Sequence, residues 1–313
     1  MDAVATTLSL NNDLLTGMEF GPARVRDLFH LAADVKAHPE RFAKSLEGRH
    51  VAMIFEKPSL RTRVSFEVGV TSLGGSAVFL DHSSSRLGER EPIADAARCL
   101  ERWVQGIVAR TFSQETIEQL AADSRIPVIN ALSDKFHPCQ AFCDFFTLEE
   151  RFGNLRGLKL AYVGDGNNMC HSLLTVGSRL GAHIRIATPA GYEPDSSVVA
   201  EAKRAARETR GKIEILRSPE EAVAGAQAVY TDVWASMGQE SEAAERGRIF
   251  ADYQVNEAFF SLAAPDAVFL HCLPAHRGLE VTAGIMESER SIVFDQAENR
   301  LHVQKAILLT LLS

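Results

Sequence analysis

Long apolar runs are missing from this chain. No stretch of its 313 residues approaches the roughly 20 apolar residues of a membrane span, so no membrane partner is expected. Cysteine is scarce as well: five cysteines in no paired framework argue against a disulfide-stapled secreted fold and for a reducing compartment. Cys139 and Cys143 lie four apart with no second pair at zinc-finger spacing, so no structural metal is expected. Positive charge is not in excess, since 33 Lys and Arg stand against 41 Asp and Glu for a net charge of −8. That argues against a broad nucleic-acid or anionic-membrane surface, but not against one local basic pocket for an anionic metabolite. The opening Met1-Asp2-Ala3-Val4 lacks the basic and apolar regions of a signal peptide, which makes a cytoplasmic location the expectation.

What is present is the balance of a globular protein, 46% hydrophobic and 24% charged, in a chain long enough for two cores. The hydrophobic spacing alternates between short apolar runs and helical periods. Residues 22–46 read as an amphipathic helix, followed by a strand at 51–56 and a helix from Leu60. After the short apolar run Ala77-Val78-Phe79-Leu80 comes a Ser-rich surface loop at 81–91. A helix from Pro92 to about Trp103, a strand at 106–112, a helix at 114–123, a strand at 127–132 and a helix from Pro138 to about Phe152 complete the first half. Gly153-Asn154-Leu155-Arg156-Gly157 breaks the pattern and marks a domain boundary.

The second half restarts the alternation, with strands expected at 158–163, 183–187, 212–216, 227–231, 267–271 and 291–294. The helices between them fall at 168–180, 195–209, 219–224, 255–263 and 281–286, and a last helix covers about 296–312. A long polar segment, 232–250, is expected to act as a mobile lid. The fold class is therefore α/β, with two domains that each hold a parallel sheet flanked by helices.

Ligands of such sheets bind beyond the carboxyl ends of the strands, which makes the residues just after each strand the candidates. In the first half these are Ser59-Leu60-Arg61-Thr62, Arg110-Thr111 and His137-Pro138-Cys139-Gln140. Ser59 stands where a helix N-cap belongs, so hydroxyls, free N–H groups and guanidinium can converge on one phosphate. The plainer readings are an ordinary capped helix, a buried and paired Arg110, and a His137 that only satisfies the core. In the second half they are Gly164-Asp165-Gly166-Asn167-Asn168, Asp232 to Glu240, and His271-Cys272-Leu273-Pro274. Met169 stands where the dinucleotide fingerprint needs its third glycine, which counts against NAD. Cys272 reads equally well as a nucleophile or as a small buried thiol, with its neighbour His271 pointing to the opposite face.

Taken together, these segments resemble the ornithine carbamoyltransferases of the aspartate/ornithine carbamoyltransferase superfamily over nearly the whole chain. Ser59-Leu60-Arg61-Thr62 is similar to the family's Ser-Thr-Arg-Thr, His137-Pro138-Cys139-Gln140 to its His-Pro-x-Gln, and His271-Cys272-Leu273-Pro274 to its His-Cys-Leu-Pro. Asp232 to Glu240 resembles the Asp…Ser-Met-Gly loop, and Phe294 to Arg300 the closing motif. The resemblance implies residues 1–150 as a carbamoyl-phosphate domain, 151–295 as an L-ornithine domain, and 296–313 as a C-terminal helix returning to the first domain.

It also implies transfer of a carbamoyl group to the δ-amine of L-ornithine, giving L-citrulline, without cofactor or metal, in a homotrimer or a multiple of trimers. Carbamoyl phosphate would be held by Ser59, Leu60, Arg61, Thr62, Arg86, Arg110, His137, Gln140, Cys272, Leu273 and Arg300. Among these, Arg61, His137, Cys272 and Arg300 carry the chemistry, and Asn168, Asp232, Ser236 and Met237 hold ornithine.

Two departures stand out. Leu60 replaces the family's threonine, which matters little where the backbone N–H is the donor. Arg86 occupies the place of a glutamine that reaches into a neighbouring subunit, so either it takes over there or the loop is shifted. Three other readings stay open: a sister enzyme acting on an acylated ornithine or putrescine, a binding protein without activity, and a nicotinamide oxidoreductase. Ser236-Met237-Gly238 favours free ornithine over the first.

Overall fold

The computed structural model describes residues 12–235 and 240–313. In chain order the first half runs α1 (Pro22–Ala37), β1 (His50–Phe55), α2 (Leu60–Ser72), β2 (Ser76–Asp81), α3 (Ile93–Leu100), β3 (Gly106–Arg110), α4 (Gln114–Asp123), β4 (Val128–Leu132) and α5 (Pro138–Phe152). The second half runs β5 (Lys159–Val163), α6 (Asn168–Leu180), β6 (His183–Ala187), α7 (Ser196–Thr209), β7 (Lys212–Leu216), α8 (Pro219–Val223) and β8 (Ala228–Tyr230). Then come α9 (Ala243–Ile249), α10 (Glu257–Phe260), β9 (Val268–Leu270), α11 (Ala283–Met286) and α12 (Val293–Leu312).

The strands form two parallel sheets, one of four in the order β2-β1-β3-β4 and one of five in the order β7-β6-β5-β8-β9. Parallel strands buried on both faces need continuous apolar sequence, and β1 supplies it: Val51 to Phe55 are all buried. In each sheet the strand order reverses once, between β1 and β3 and between β5 and β8. A crevice opens beyond the strands at such a reversal. There the register sets Phe55 beside Arg110 in one sheet and Tyr162 beside Tyr230 in the other. Both crevices are therefore fixed by topology.

Helix α12 returns to the first half and packs on α1, α2 and α5. Gly106 allows β3 to approach its end, because a Cβ there would stand 2.6 Å from Leu312. Gly166 has a similar reason to be glycine. A Cβ would fall 2.2 Å from the Pro194 nitrogen, so the Gly164-Asp165-Gly166 turn serves a close backbone approach.

Several expected elements change. The helix expected over 22–46 stops at Ala37, because Pro39 restrains His38 and only a 3₁₀ turn follows (Pro39–Phe42). The helices expected at 92–103 and 255–263 shorten to Ile93–Leu100 and Glu257–Phe260. No strand forms at 291–294. Ser291 makes a single bridge to Phe269, and the chain turns into α12 at Val293, with Asp295 in the first turn where a helix favours negative charge. Within the long polar segment 232–250 the chain forms α9; Ser236 and Met237 lie outside the described residues.

Candidate active site

A cleft of about 790 Å³ lies between the two sheets at their paired reversals. Its first wall grows from the turn after β1. Ser59 is extended and caps α2, its hydroxyl accepting from the Thr62 N–H at 3.3 Å, which leaves the helix N-terminus facing the cleft. Thr62 is buried, Arg61 is half-buried, and the Leu60 side chain is turned to solvent. Arg110 arrives at the end of β3 and Arg300 from the second turn of α12; both are buried and both line the cleft. Arg300 donates to the Thr62 hydroxyl at 2.7 Å and to the Gln140 amide oxygen.

These cations crowd each other. Burial lowers the Arg61 pKa, with Arg300 adding to the effect. Burial, with Arg300 and Arg61 adding, brings Arg110 down to about 10. Lys57, also on this wall, is lowered by burial and by Arg110. Neither Arg61 nor Arg300 pairs with a carboxylate among the described residues. Like charges held this close, two of them without a carboxylate partner, favour binding of an anion.

His137 stands at the start of α5 with its backbone N–H donating to the Ser172 hydroxyl at 2.7 Å, and its buried Nδ1 has no protein partner among the described residues. Burial pushes its pKa well below the ordinary value, helped by Arg300 and Arg110. The ring is therefore neutral at pH 7.

The second wall carries a carboxylate. Asp232 follows β8 and is buried, with Oδ2 accepting from the Asn167 amide at 2.9 Å and Oδ1 from its neighbour Val233 N–H at 2.8 Å. The Cys272 thiol also donates to Oδ1, at 3.0 Å. Burial raises the Cys272 pKa well above the usual range and Asp232 adds to it, so the group is a neutral thiol. Asn167 caps α6 through its side-chain oxygen, and Asn168 donates to the Ser133 carbonyl at 2.6 Å, tying this wall to the first half. Leu273 sits at φ +59 beside it.

The expectation that His271 points away from Cys272 does not hold. Strand β9 ends at Leu270, so strict alternation has already lapsed, and Asp232, His271 and Cys272 bring donor atoms within 4.8 Å of one another. Those donors suit a soft divalent cation, yet each is engaged by protein. His271 Nδ1 accepts from the Leu273 N–H at 2.9 Å, and Nε2 donates to buried Glu280 at 3.2 Å.

The structure thus gathers Ser59, Leu60, Arg61, Thr62, Arg110, His137, Asn168, Asp232, Cys272, Leu273 and Arg300 on one cleft, with Gln140 directly behind Arg300. Arg86 is not on that cleft. Its exposed guanidinium sits 4.0 Å over the ring of Phe112, which does line it.

Sequence reasoning passed over Lys57, Phe112, Tyr192 and the Asp165–Arg246 pair. Arg246 leaves α9 to reach Asp165 at 2.8 Å, and burial raises that carboxyl to about 6. A buried arginine in the polar segment had no local signal; the Asp165 side of the pair lay inside a turn already singled out.

A cation-lined wall opposite a carboxylate-lined wall, each at a sheet reversal, is the layout of a two-substrate enzyme that brings an anionic donor to an acceptor. Residues 12–150 match the family model described as "Aspartate/ornithine carbamoyltransferase, carbamoyl-P binding domain", and residues 156–311 match its "Asp/Orn binding domain". The chain belongs to the aspartate/ornithine carbamoyltransferase family.

It is 51% identical over 315 residues to the ornithine carbamoyltransferase of Anoxybacillus flavithermus, covering 100% of both chains. It is 53% identical over 263 residues to the anabolic ornithine carbamoyltransferase of Pyrococcus furiosus, 84% of each. The solved structure of ornithine carbamoyltransferase from Pyrococcus furiosus superimposes with a TM-score of 0.93 at 48% identity, covering 97% of this chain and 98% of that one.

Proposed function

We propose that the chain transfers the carbamoyl group of carbamoyl phosphate to the δ-amine of L-ornithine, giving L-citrulline and phosphate, in arginine biosynthesis. The observation that carries the donor assignment is the cation cluster. Arg61, Arg110 and Arg300 are held close without an internal carboxylate on Arg61 or Arg300, and a phosphate dianion relieves that strain.

In this reading the Ser59 hydroxyl, the free N–H groups of Leu60 and Arg61, and Arg61, Thr62 and Arg110 hold the phosphate. Arg300, Thr62, Arg61 and neutral His137 surround the carbonyl oxygen and stabilise the oxyanion as it forms. Gln140 Oε1 keeps a second lone pair beyond the one that Arg300 uses, which suits the carbamoyl nitrogen.

The neutral δ-amine attacks the carbonyl carbon and a tetrahedral intermediate forms. The C–O bond to phosphate then breaks, and the proton lost by the attacking nitrogen leaves on the phosphate. Asp232 pairs with the α-ammonium of ornithine. As a neutral thiol, Cys272 orients the amine and forms no covalent intermediate, with Leu273 offering its carbonyl beside it. Asn168 supports the amino-acid end; Ser236 and Met237, which the resemblance adds to it, lie outside the described residues.

A trimer is part of the proposal. Leu60, Val64 and Val68 form an exposed apolar stripe along α2, at 74%, 49% and 46% exposure, which a second copy would cover. Among the described residues no helix is long and apolar enough to cross a membrane. The test is a citrulline-type assay with ornithine, acetylornithine, putrescine and aspartate in parallel. Ornithine is expected to exceed the others by at least ~100-fold in kcat/KM, and comparable turnover of acetylornithine or putrescine would overturn the assignment.

A further inference from the structure

Asp144 is fully buried one helical turn after Gln140 on α5, and the mechanism above does not use it. Its Oδ1 accepts from the Gln140 amide nitrogen at 2.7 Å and from the Gln296 amide nitrogen at 2.6 Å. Beyond these two amides stand donors. Arg300 donates to the Gln140 oxygen, and the His271 N–H donates to the Gln296 oxygen at 3.1 Å.

Gln140 therefore stands between an acceptor and a group that can only donate. One orientation of its amide satisfies both; the flipped one sets NH₂ against guanidinium and leaves Asp144 facing a carbonyl. Gln296 is constrained in the same way, and it also reaches the Tyr230 hydroxyl at 3.2 Å. The carboxylate is thereby braced from α12 and from β8 together.

Resting on the carbamoyl-transfer reading above, we infer that Asp144 is a positioning residue: it fixes the direction of the Gln140 amide and, through it, holds Arg300 on the carbamoyl donor. The chain of contacts runs Asp144, Gln140, Arg300, Thr62, and it ends at the N-terminus of α2. Without the acceptor at Asp144 the Gln140 amide is free to turn, and Arg300 loses one of its two fixed partners. Asn in place of Asp keeps an acceptor oxygen for both glutamines and can turn its own NH₂ toward the Tyr230 oxygen.

The experiment compares wild type, Asp144→Leu and Asp144→Asn, alone and combined with Gln140→Ala. It reads KM for each substrate, kcat, and carbamoyl-phosphate Kd by calorimetry. Asp144→Leu should raise carbamoyl-phosphate KM and lower its kcat/KM by ~100-fold, while ornithine KM stays within about threefold. Asp144→Asn should recover to within about tenfold of wild type. On the Gln140→Ala background Asp144→Leu should cost less than about threefold more, because its route to the donor is already gone.

Should Asp144→Leu fail to fold, Gln140→Glu supplies the same test. It sets two carboxyls face to face, and Asp144→Asn should rescue it. Loss of active enzyme with carbamoyl-phosphate KM unchanged, equal penalties on both backgrounds, or no rescue would overturn the inference. A wild type that neither binds carbamoyl phosphate nor forms citrulline would instead overturn the reading on which the inference rests.

Discussion

Replacing Asp232 by Asn separates the two walls of the cleft. The substitution is isosteric, so what it changes is charge and one acceptor. In the structure every approach to this carboxylate is a donor: the Asn167 amide at 2.9 Å on one oxygen, and the Val233 N–H at 2.8 Å with the Cys272 thiol at 3.0 Å on the other. The NH₂ of the variant must therefore face Asn167 or Val233. Asn167 cannot turn to receive it, because its oxygen caps α6 through the N–H groups of Met169 and Cys170.

Loss of a charge-assisted contact to the substrate ammonium, with one donor set against another, should cost about 2–4 kcal/mol, or ~30- to ~1000-fold in kcat/KM for ornithine. In the proposed function the phosphate of carbamoyl phosphate binds the other wall, so its Kd should move less than about threefold. Steady-state kinetics give the first quantity and calorimetry the second. An unchanged kcat/KM for ornithine, or simultaneous loss of both ligands, would refute the division of labour.

Other expectations follow from the same geometry. Burial pushes the Asp144 carboxyl up to about 7 from 3.8, so the folded chain holds that proton more tightly and loses stability as pH rises from about 4 to about 7. Asp144→Asn removes that dependence; unfolding free energies at pH 5 and pH 8 should show the variant gaining on wild type by up to ~3 kcal/mol, and parallel curves would contradict it. His137, held neutral by burial, should add no titration of its own to kcat/KM between about pH 6 and 7. An apparent pKa in that window that His137→Gln abolishes would count against this. In the proposed trimer, Arg86→Ala and Arg300→Ala preparations, each nearly inactive, should regain part of the activity when dissociated and reassembled together. No recovery would place Arg86 in its own chain's site.

The sequence by itself determined the alternating α/β class, most strand positions and many of the groups that end up on the cleft, because periodicity, caps and strand ends are short-range properties. Ser59 caps α2 and the strand ends carry Arg110 and Asp232 just as local pattern requires. Tertiary structure decided which strand ends meet. The orders β2-β1-β3-β4 and β7-β6-β5-β8-β9 set two reversals against each other, and no window of sequence encodes a strand order. It also decided that 291–294 bridges and then coils into α12, and that Arg86 rests on Phe112 outside its own cleft. The contact between Gln296 and Asp144 joins residues 152 apart, and that between Arg300 and Thr62 residues 238 apart. Such partners become neighbours only when the last helix closes back on the first sheet, so their pairing is a property of the folded chain.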